Sequence, residues 1–506
     1  MPNPEHTHQD DLERASRKPA ALSRFSGAFC AESQRRLVLI AAILGSAMGF
    51  IDGTFVSIAM PAMRSSLGAD LTDAQWISNA YMLTLAALIL VGGAFGDRFG
   101  RARVFVIGIA IFVATSIICA IASGPDLMIA ARAAQGVGAA LMVPGSLALV
   151  STAYPPQERG RAIGIWAAAS AMATGLGPLL GGVLLTWGGP EAWRLLFWVN
   201  LPIGIIAAGL LIRAVDQDAG HKDHPLDIPG AILATLGLGL VAFALSGSES
   251  AEHGGPSNAV WIGLAGLAAL VVFLWWERRS AHPMLPLTLF TDRGFAAANA
   301  ATFALYFSLS GIFFFLPMTA IAGWGISEAE IALAFVPMTV FMTLLSTRAG
   351  ALADRIGAGP MIAVGSFVVA IAYALMALLA PAMSLWISVL APMVVMGLGM
   401  SMVVAPLSTA VMKGAPEALA GAASSVNNAM SRIAGLLAVA AAGALVARVY
   451  ASAGGTASFG IISTSAGHGV AMTTAFAALA WIAAAFALMA AVLAWLLIPR
   501  PAQTGS

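Results

Sequence analysis

The sequence predicts an all-α membrane protein with fourteen membrane-spanning helices, arranged as two six-helix bundles with two extra helices inserted between them. Three observations predict this fold class: the composition, the long apolar runs and an internal repeat. Hydrophobic residues make up 59% of the 506 residues and charged residues only 10%. Soluble domains are about half apolar and a quarter charged. Most of this chain is therefore expected to lie in lipid.

Apolar runs define the predicted spans. A bilayer core of about 30 Å requires about 20 apolar residues in a helix. We place the fourteen runs at residues 37–62, 75–95, 104–123, 127–151, 162–187, 194–212, 228–246, 258–276, 295–322, 330–347, 361–380, 384–411, 419–447 and 470–497. The first run is too long for a cleaved signal peptide, so we interpret it as an uncleaved first span.

The runs divide the chain into five segments. The polar residues 1–36 are predicted to form a disordered cytoplasmic tail. The first six runs form an N-terminal bundle at 37–212, and the last six form a C-terminal bundle at 294–498. Residues 213–293 contain a charged linker and the two inserted helices, and 499–506 form a second cytoplasmic tail.

Basic residues are distributed unequally between alternate loops. Of the 25 Lys and Arg residues, only Arg64, Arg194 and Arg448 fall in segments on the side opposite the N-terminal tail. Positively charged loops stay in the cytoplasm, so both termini are predicted to be cytoplasmic. We expect a multi-pass protein of the bacterial inner (cytoplasmic) membrane.

Several other kinds of protein are disfavoured. The net charge of +1 does not fit a nucleic-acid binder, which carries a concentrated basic surface. Cys30 and Cys119 are too few for a disulfide framework, and no metal site or cofactor is predicted. The sequence has no phosphate-binding loop of the G-x-x-x-x-G-K-[ST] type, so ATP hydrolysis is not expected. An intramembrane enzyme is disfavoured because the seven histidines, at 6, 8, 221, 224, 253, 282 and 468, lie in predicted tails or loops.

An internal repeat relates the two bundles. Residues 93–100 (GAFGDRFG) return as 350–357 (GALADRIG), and residues 135–138 (QGVG) return as 396–399 (MGLG). Duplicated helical bundles are a common architecture of transporters. The second copy lacks basic residues equivalent to Arg101 and its neighbours, so a symmetric contact between the two copies is not expected.

Asp52 is the acidic residue that lies well inside a predicted span. By residue count it lies about 22 Å along the first span, and Arg132 lies about 8 Å into the fourth, so both are in the outer half of the membrane. A charge at that depth costs at least about 3 kcal/mol and needs a partner or a cavity. Alternate exposure of Asp52 to water and to Arg132 would switch it between the protonated and the ionised form, as proton coupling requires. Asp52 and Arg132 are therefore predicted to serve proton coupling. The alternative is a packing acid locked to Arg132 or to a backbone donor.

Further polar residues are candidates for the substrate pathway. Gln135 shares a helix face with Arg132 and either satisfies the guanidinium or lines the pathway. The ninth run carries Asn299, Thr302, Phe303, Tyr306 and Ser310 at helical spacing, and the thirteenth carries Ser424, Asn428 and Arg432 on one face. Lipid disfavours such stripes, so each either lines the pathway or forms interhelical hydrogen bonds.

Five motifs, in order, resemble the major facilitator superfamily, and within it the fourteen-span drug:proton antiporters of the EmrB/QacA type. They are 51–61 (IDGTFVSIAMP), 93–103 (GAFGDRFGRAR), 127–138 (LMIAARAAQGVG), 175–182 (GLGPLLGG) and 193–204 (WRLLFWVNLPIG). The resemblance implies a proton-coupled exporter of amphipathic compounds, aromatic or monocationic, that works by alternating access. The alternative within transport is a dedicated exporter of one endogenous metabolite or antibiotic.

The resemblance also implies roles for two of these motifs. The second implies a cytoplasmic gate formed by Gly93, Asp97, Arg98, Gly100 and Arg101. The fourth, with Gly175, Gly177, Pro178 and Gly181, is linked in the family to sealing the outer side of exporters.

The expected partners follow from the same resemblance. Some relatives carry extra acidic residues on the thirteenth span for dicationic drugs; this sequence has none there, so divalent substrates are not expected. The partners expected are small amphipathic substrates, protons and the lipid bilayer, with no nucleic acid. The use of a periplasmic adaptor is left open.

Overall fold

The computed structural model describes residues 29–215, 218, 226–246, 256–416, 419–465 and 467–499, and these residues form helices and no β-strand. The tails predicted at 1–36 and 499–506 lie largely outside the described residues, as does most of the charged linker. Within the described residues, fourteen helices are long and apolar enough to cross a membrane. The predicted fold class is confirmed.

The helices that form the spans agree closely with the apolar runs. Spans 1 to 14 are Glu32–Leu67, Leu71–Phe99, Arg101–Ile121, Pro125–Ala153, Pro156–Gly188, Pro190–Ala214, Ile228–Ser246, Asn258–Arg279, Arg293–Gly323, Glu328–Ile356, Ala358–Ala382, Leu385–Lys413, Ala420–Ser452 and His468–Leu497. Spans 1–6 are called the first half, spans 9–14 the second half, and spans 7 and 8 the inserted hairpin.

Some spans are not continuous α-helices. Span 6 consists of a 3₁₀ turn followed by Trp193–Trp198 and Asn200–Ala214. Span 9 ends in a π-helical turn, Thr319–Gly323, which follows Pro317. Proline lacks the backbone N–H that an α-helix needs, and π-turns accommodate such interruptions inside long helices. The helices are still long enough to cross the membrane despite these breaks, which change the direction of nearby side chains.

The two halves repeat the same packing arrangement. In the first half the span pairs 1–5, 1–6, 2–4, 3–4 and 3–6 pack together; in the second half the pairs are 9–13, 9–14, 10–12, 11–12 and 11–14. Adding eight to each span number of the first set gives the second set. The sequence repeat therefore corresponds to a structural repeat.

Glycines at equivalent positions allow the closest helix contacts in both halves. A Cβ on Gly108 would lie 2.9 Å from the carbonyl oxygen of Gly138, and a Cβ on Gly365 would lie 2.7 Å from that of Gly399. Real Cβ atoms do not approach a backbone oxygen so closely, so spans 3 and 4 and spans 11 and 12 need glycine at these crossings.

The inserted hairpin packs on one side of the molecule, where spans 2 and 13 meet. Span 8 packs on span 7, and span 7 packs on both halves. Leu238 and Ala242 of span 7 form a small buried cluster with Leu436 and Ala440 of span 13. The hairpin therefore touches both halves.

Candidate functional site

The structure brings Asp52 and Arg132 together in a fully buried ion pair. Arg132 Nη1 donates to Asp52 Oδ2 at 2.5 Å, and the side chains are 1% and 0% exposed. Arg132 Nε also donates to the carbonyl of Ile77 at 3.2 Å, and the Tyr81 ring lies 4.4 Å from the guanidinium carbon. Burying two charges costs several kcal/mol per ion, so the pair depends on these additional contacts.

Gln135 connects the two charged groups. Its Oε1 accepts a hydrogen bond from Arg132 Nη1 at 2.6 Å, and its Nε2 donates to Asp52 Oδ1 at 3.1 Å. The same Nε2 donates to Ser116 Oγ at 2.7 Å, which also accepts from Asn200 Nδ2 at 3.1 Å. The sequence left open whether Gln135 satisfies the Arg132 guanidinium or lines the substrate pathway; in this structure it has no exposed surface and bonds to Arg132 within the ion-pair cluster.

Sequence reasoning missed three members of this cluster. Ser116 lies in an apolar run, and Tyr81 is one aromatic residue among many. Asn200 lies in the motif 193–204, but the sequence assigned it no role. Polar residues on apolar runs were the available signal for Ser116 and Asn200, because such residues are rare in lipid. Tyr81 carries no comparable signal, since aromatic residues are ordinary in membrane spans.

Tyr81 also connects the cluster to the second half. Arg432 of span 13 interacts electrostatically with Tyr81 of span 2 and with Tyr306 of span 9. Tyr81 thus contacts Arg132 and lies within the electrostatic influence of Arg432 in the second half. Arg432 is half-buried, in keeping with its predicted position far inside span 13.

The two polar stripes divide into buried and accessible residues. Thr302 Oγ1 donates to Asn427 Oδ1 at 2.8 Å, which joins spans 9 and 13. Asn299 is buried and donates to its own helix. Phe303 and Tyr306 are partly exposed and Asn428 is exposed. Part of each stripe thus serves interhelical contacts, and part remains accessible for a substrate pathway.

The proposed gate residues form contacts within the first half. Asp97 accepts from Arg101 Nε at 3.0 Å and Nη2 at 2.8 Å, and Arg101 Nη1 donates to Thr152 at 2.5 Å. The Arg98 guanidinium lies 5.4 Å from the Phe99 ring centre. Gly100 has φ +102°, a conformation that favours glycine, and Gly93 lies beside Pro144 of span 4.

The second copy of this motif has its own basic partner. Gly357, the equivalent of Gly100, has φ +99°. Lys413 Nζ lies 3.8 Å from Asp354 Oδ1, and Lys413 lies at the end of span 12, as Thr152 lies in the last turn of span 4. The basic charge missing from the loop is thus supplied by another span. Both pairs are exposed, so each contributes at most about 1 kcal/mol.

At the glycine-rich motif, span 5 packs closely on span 1 of its own half and on span 10 of the second half. A Cβ on Gly177 would overlap Thr54 Oγ1 and lie 2.9 Å from the Ile51 carbonyl, whereas one on Gly175 would meet Thr339 of span 10. Gly181 lies over Phe55 with a normal contact of 3.5 Å. Pro178 lies inside the helix and is buried.

Three further contacts join the halves at the end predicted to face outside. Arg64, 2% exposed, donates to the Phe459 carbonyl and to Ser458 Oγ, the latter at 3.0 Å. Gln75 donates to the carbonyls of Val439 and Ala440, and Thr186 Oγ1 accepts from the Ala329 N–H at 3.2 Å. These bonds close the outer end. Sequence reasoning treated Arg64 only as an outer-loop charge.

One histidine does not lie where the sequence predicted. His468 was assigned to a loop, but it is the first residue of span 14 and is 4% exposed. Its Nδ1 shares a 2.6 Å hydrogen bond with the Tyr450 hydroxyl at the end of span 13. The span begins at His468 and not at 470, because it extends beyond its apolar run to a buried polar pair.

Two pseudo-symmetric groups of six spans with a buried polar cluster within them define a secondary-transporter fold. The sequence profile of the Major Facilitator Superfamily matches residues 42–439. The chain belongs to this superfamily of membrane transporters.

Its relatives include antibiotic-resistance proteins. The methylenomycin A resistance protein of Bacillus subtilis is 34% identical over 423 residues, which are 82% of this chain and 89% of that protein. The multidrug resistance protein Stp of Mycobacterium tuberculosis is 32% identical over 417 residues, 81% of this chain and 76% of Stp. The chain is therefore related to proteins named for resistance to antibiotics and drugs.

A solved structure supports the fold. The crystal structure of a bacterial homolog of the human lysosomal transporter Spinster, described as inward-facing, superposes with a TM-score of 0.65 at 17% identity. The match covers 93% of this chain and all of the other. At this identity the likeness is one of fold.

Proposed function

We propose that the protein exports small amphipathic molecules, aromatic or monocationic, in exchange for protons that bind to Asp52. The observation that carries the proposal is the buried Asp52–Arg132–Gln135 cluster. In it, an acidic residue from well inside span 1 is paired with a basic residue of span 4. The names of the relatives support antibiotic or drug efflux. The motif resemblance supports the exchange for protons.

The cluster suggests how proton binding is coupled to movement. In this structure Asp52 accepts hydrogen bonds through both oxygens, which corresponds to its ionised form. Protonating it removes the anionic partner of Arg132 and leaves the guanidinium buried beside Gln135 and the Ile77 carbonyl. An uncompensated buried cation is strongly unfavourable. Protonation therefore favours a conformation in which Arg132 finds water or another partner.

Water must reach Asp52 for this exchange, and here the side chain is fully buried. We infer that this structure, with its outer end closed, represents a state in which Asp52 is sealed from water after the proton has left. Rocking of the halves would then open the outer end and hydrate Asp52. Tyr81, which contacts Arg132 and feels the charge of Arg432, would pass this change on to the second half.

Reconstituted vesicles containing a pH-sensitive dye test the proposal. Adding an aromatic monocation such as ethidium should release protons in the wild type. Asp52→Asn should fold but show no proton release, because the amide does not ionise. Asp126→Asn, which changes an exposed acid at the first turn of span 4, is the matched control and should behave as wild type. Full coupling in Asp52→Asn would remove this residue from the mechanism.

Substrate breadth is a separate question. Among the relatives, one is named for resistance to a single antibiotic and another for multidrug resistance. Growth inhibition by unrelated toxic compounds, with and without the gene, distinguishes the two cases. Protection against only one compound would favour the dedicated exporter over the multidrug transporter.

A further inference from the structure

The inserted hairpin holds a second pair of buried acidic residues, far in sequence from Asp52. Asp227 comes immediately before span 7, and Glu277 lies in the last turn of span 8. Their side chains are 7% and 3% exposed. Span 7 packs on span 8 along its length, so the pair lies where the hairpin opens.

Each carboxyl group has one oxygen that is well supplied with donors. Asp227 Oδ1 accepts from the Gly230 N–H at 2.9 Å and from the Trp276 indole N–H at 2.8 Å. Glu277 Oε2 accepts from the Leu285 N–H at 2.9 Å. These donors fix the orientation of both carboxyl groups.

The other two oxygens point toward each other without a donor. Asp227 Oδ2 and Glu277 Oε1 are buried and have no hydrogen-bond partner. A Cβ on Gly230 would lie 2.7 Å from Glu277 Oε1 and 2.8 Å from Asp227 Oδ2, so both oxygens converge on one point. The two oxygens therefore face the same small space beside Gly230. Two ionised carboxylates cannot share such a site; a proton between them removes the repulsion.

Among the residues that the structure describes, no Lys or Arg forms an ion pair with Asp227 or Glu277. A cavity of about 260 Å³ adjoins Asp227; its lining includes His282, and span 2 contributes only apolar residues to it, namely Leu90, Val91 and Ala94. Arg278 and Arg279 follow Glu277 but are exposed, and Arg279 stacks on Trp275. At the end of span 2, Asp97 pairs with Arg101 and Arg98 lies over Phe99. The cavity gives water a route to the pair.

We propose that Asp227 and Glu277 form a second proton-binding site, in which one protonated carboxyl group donates a hydrogen bond to the facing carboxylate oxygen. The pair then carries one negative charge, which the three N–H donors stabilise. This site is independent of Asp52 and of the transport mechanism. It also fastens the segment at Leu285, which leads into span 9, to the hairpin. Loss of the proton would separate the carboxylates and loosen that attachment.

Infrared difference spectroscopy on the purified full-length protein tests this directly. The measurements use an Asp52→Asn background, so that Asp52 contributes no signal. At neutral pH we expect the C=O stretching band of a protonated carboxyl group, and it should disappear as the pH is raised. The band should be absent from Asp52→Asn with Asp227→Asn and Glu277→Gln added. The proposal would be overturned if the band persisted in the triple variant, or if it were absent from the Asp52→Asn protein.

Glu277→Gln alone covers the case in which the triple variant does not fold. Its amide can donate to Asp227 Oδ2 as the shared proton does, so the fold should be retained while the band is lost. Thermal unfolding adds a second measurement. Raising the pH should lower the melting temperature of the parent more than that of Glu277→Gln, because only the parent has a shared proton to lose. Equal pH dependence in both proteins would contradict the proposal.

Discussion

Gln135 has an unusual position at the residue scale, because one amide group supports both members of the buried ion pair. Hydrogen bonds to charged groups contribute about 1.5–3 kcal/mol, whereas bonds between neutral groups contribute about 0.5–1.5 kcal/mol. The amide also bonds to Ser116, so the two kinds of contact can be compared at one site. Gln135 is therefore a positioning residue whose loss acts through Asp52.

Gln135→Met keeps the side-chain volume and removes the amide. It leaves Asp52 Oδ1 without its donor, and we expect the free energy of unfolding to fall by about 1.5–3 kcal/mol. Ser116→Ala removes a neutral partner of the same amide and should cost less. Chemical unfolding of the purified variants measures both. An equal or larger effect of Ser116→Ala would argue that the carboxylate does not depend on Gln135.

At the scale of elements, span 5 is held against span 1 by glycine. Gly177 lies against the Ile51 carbonyl, one residue before Asp52. The backbone of span 1 cannot yield there without moving the ion pair. Four residues further along, Gly181 meets span 1 at an ordinary van der Waals distance. The two glycines therefore make different demands on the same interface.

Gly177→Ala should destabilise the protein and reduce transport. Overpacking of this kind costs about 1–3 kcal/mol, and here the displaced backbone carries Asp52. Gly181→Ala is the matched control, because its nearest contact would be 3.5 Å from Phe55 Cβ. Transport rates and melting temperatures of the two variants decide the question. If both were neutral, close packing at residue 177 would not matter for the site.

At the scale of the whole molecule, closure of the outer end depends on contacts between residues almost 400 positions apart. Arg64 reaches the segment between spans 13 and 14, and Gln75 reaches the backbone of span 13. Gly443 faces the Gln75 amide, and a Cβ there would overlap it. These contacts are made in the closed state and must break when the outer end opens. Weakening them should shift the molecule toward the outward-open state.

Arg64→Ala should therefore widen the outer end. Spin labels on cysteines introduced at Ser65 and Ile462, both exposed, report the distance between the halves. We expect a shift toward longer distances in Arg64→Ala. Arg194→Ala is the control, because Arg194 bonds to Glu191 and to the carbonyls of Ala120 and Ala122 within the first half. An unchanged distribution in Arg64→Ala would show that this arginine does not hold the end closed.

The sequence by itself determined the spans, the repeat and the principal candidate residues. Hydropathy reports whether a segment lies in lipid, and this property is local, so the fourteen runs and the fourteen spans agree. The cost of a charge in lipid singled out Asp52 and Arg132 without knowledge of any contact. The repeat also placed a glycine at 100 and at 357, where each loop has the positive φ that favours glycine.

Only the tertiary structure decided which polar groups meet. Gln135, Ser116, Asn200 and Tyr81 join the ion pair from four different spans. Arg64 closes the outer end by meeting the second half. Side-chain direction and helix packing set these contacts, and neither is encoded in the hydropathy of one segment. Asp227 and Glu277 show the same limit: each is an ordinary acid near a span end, and the folding of the hairpin alone brings their unpaired oxygens together.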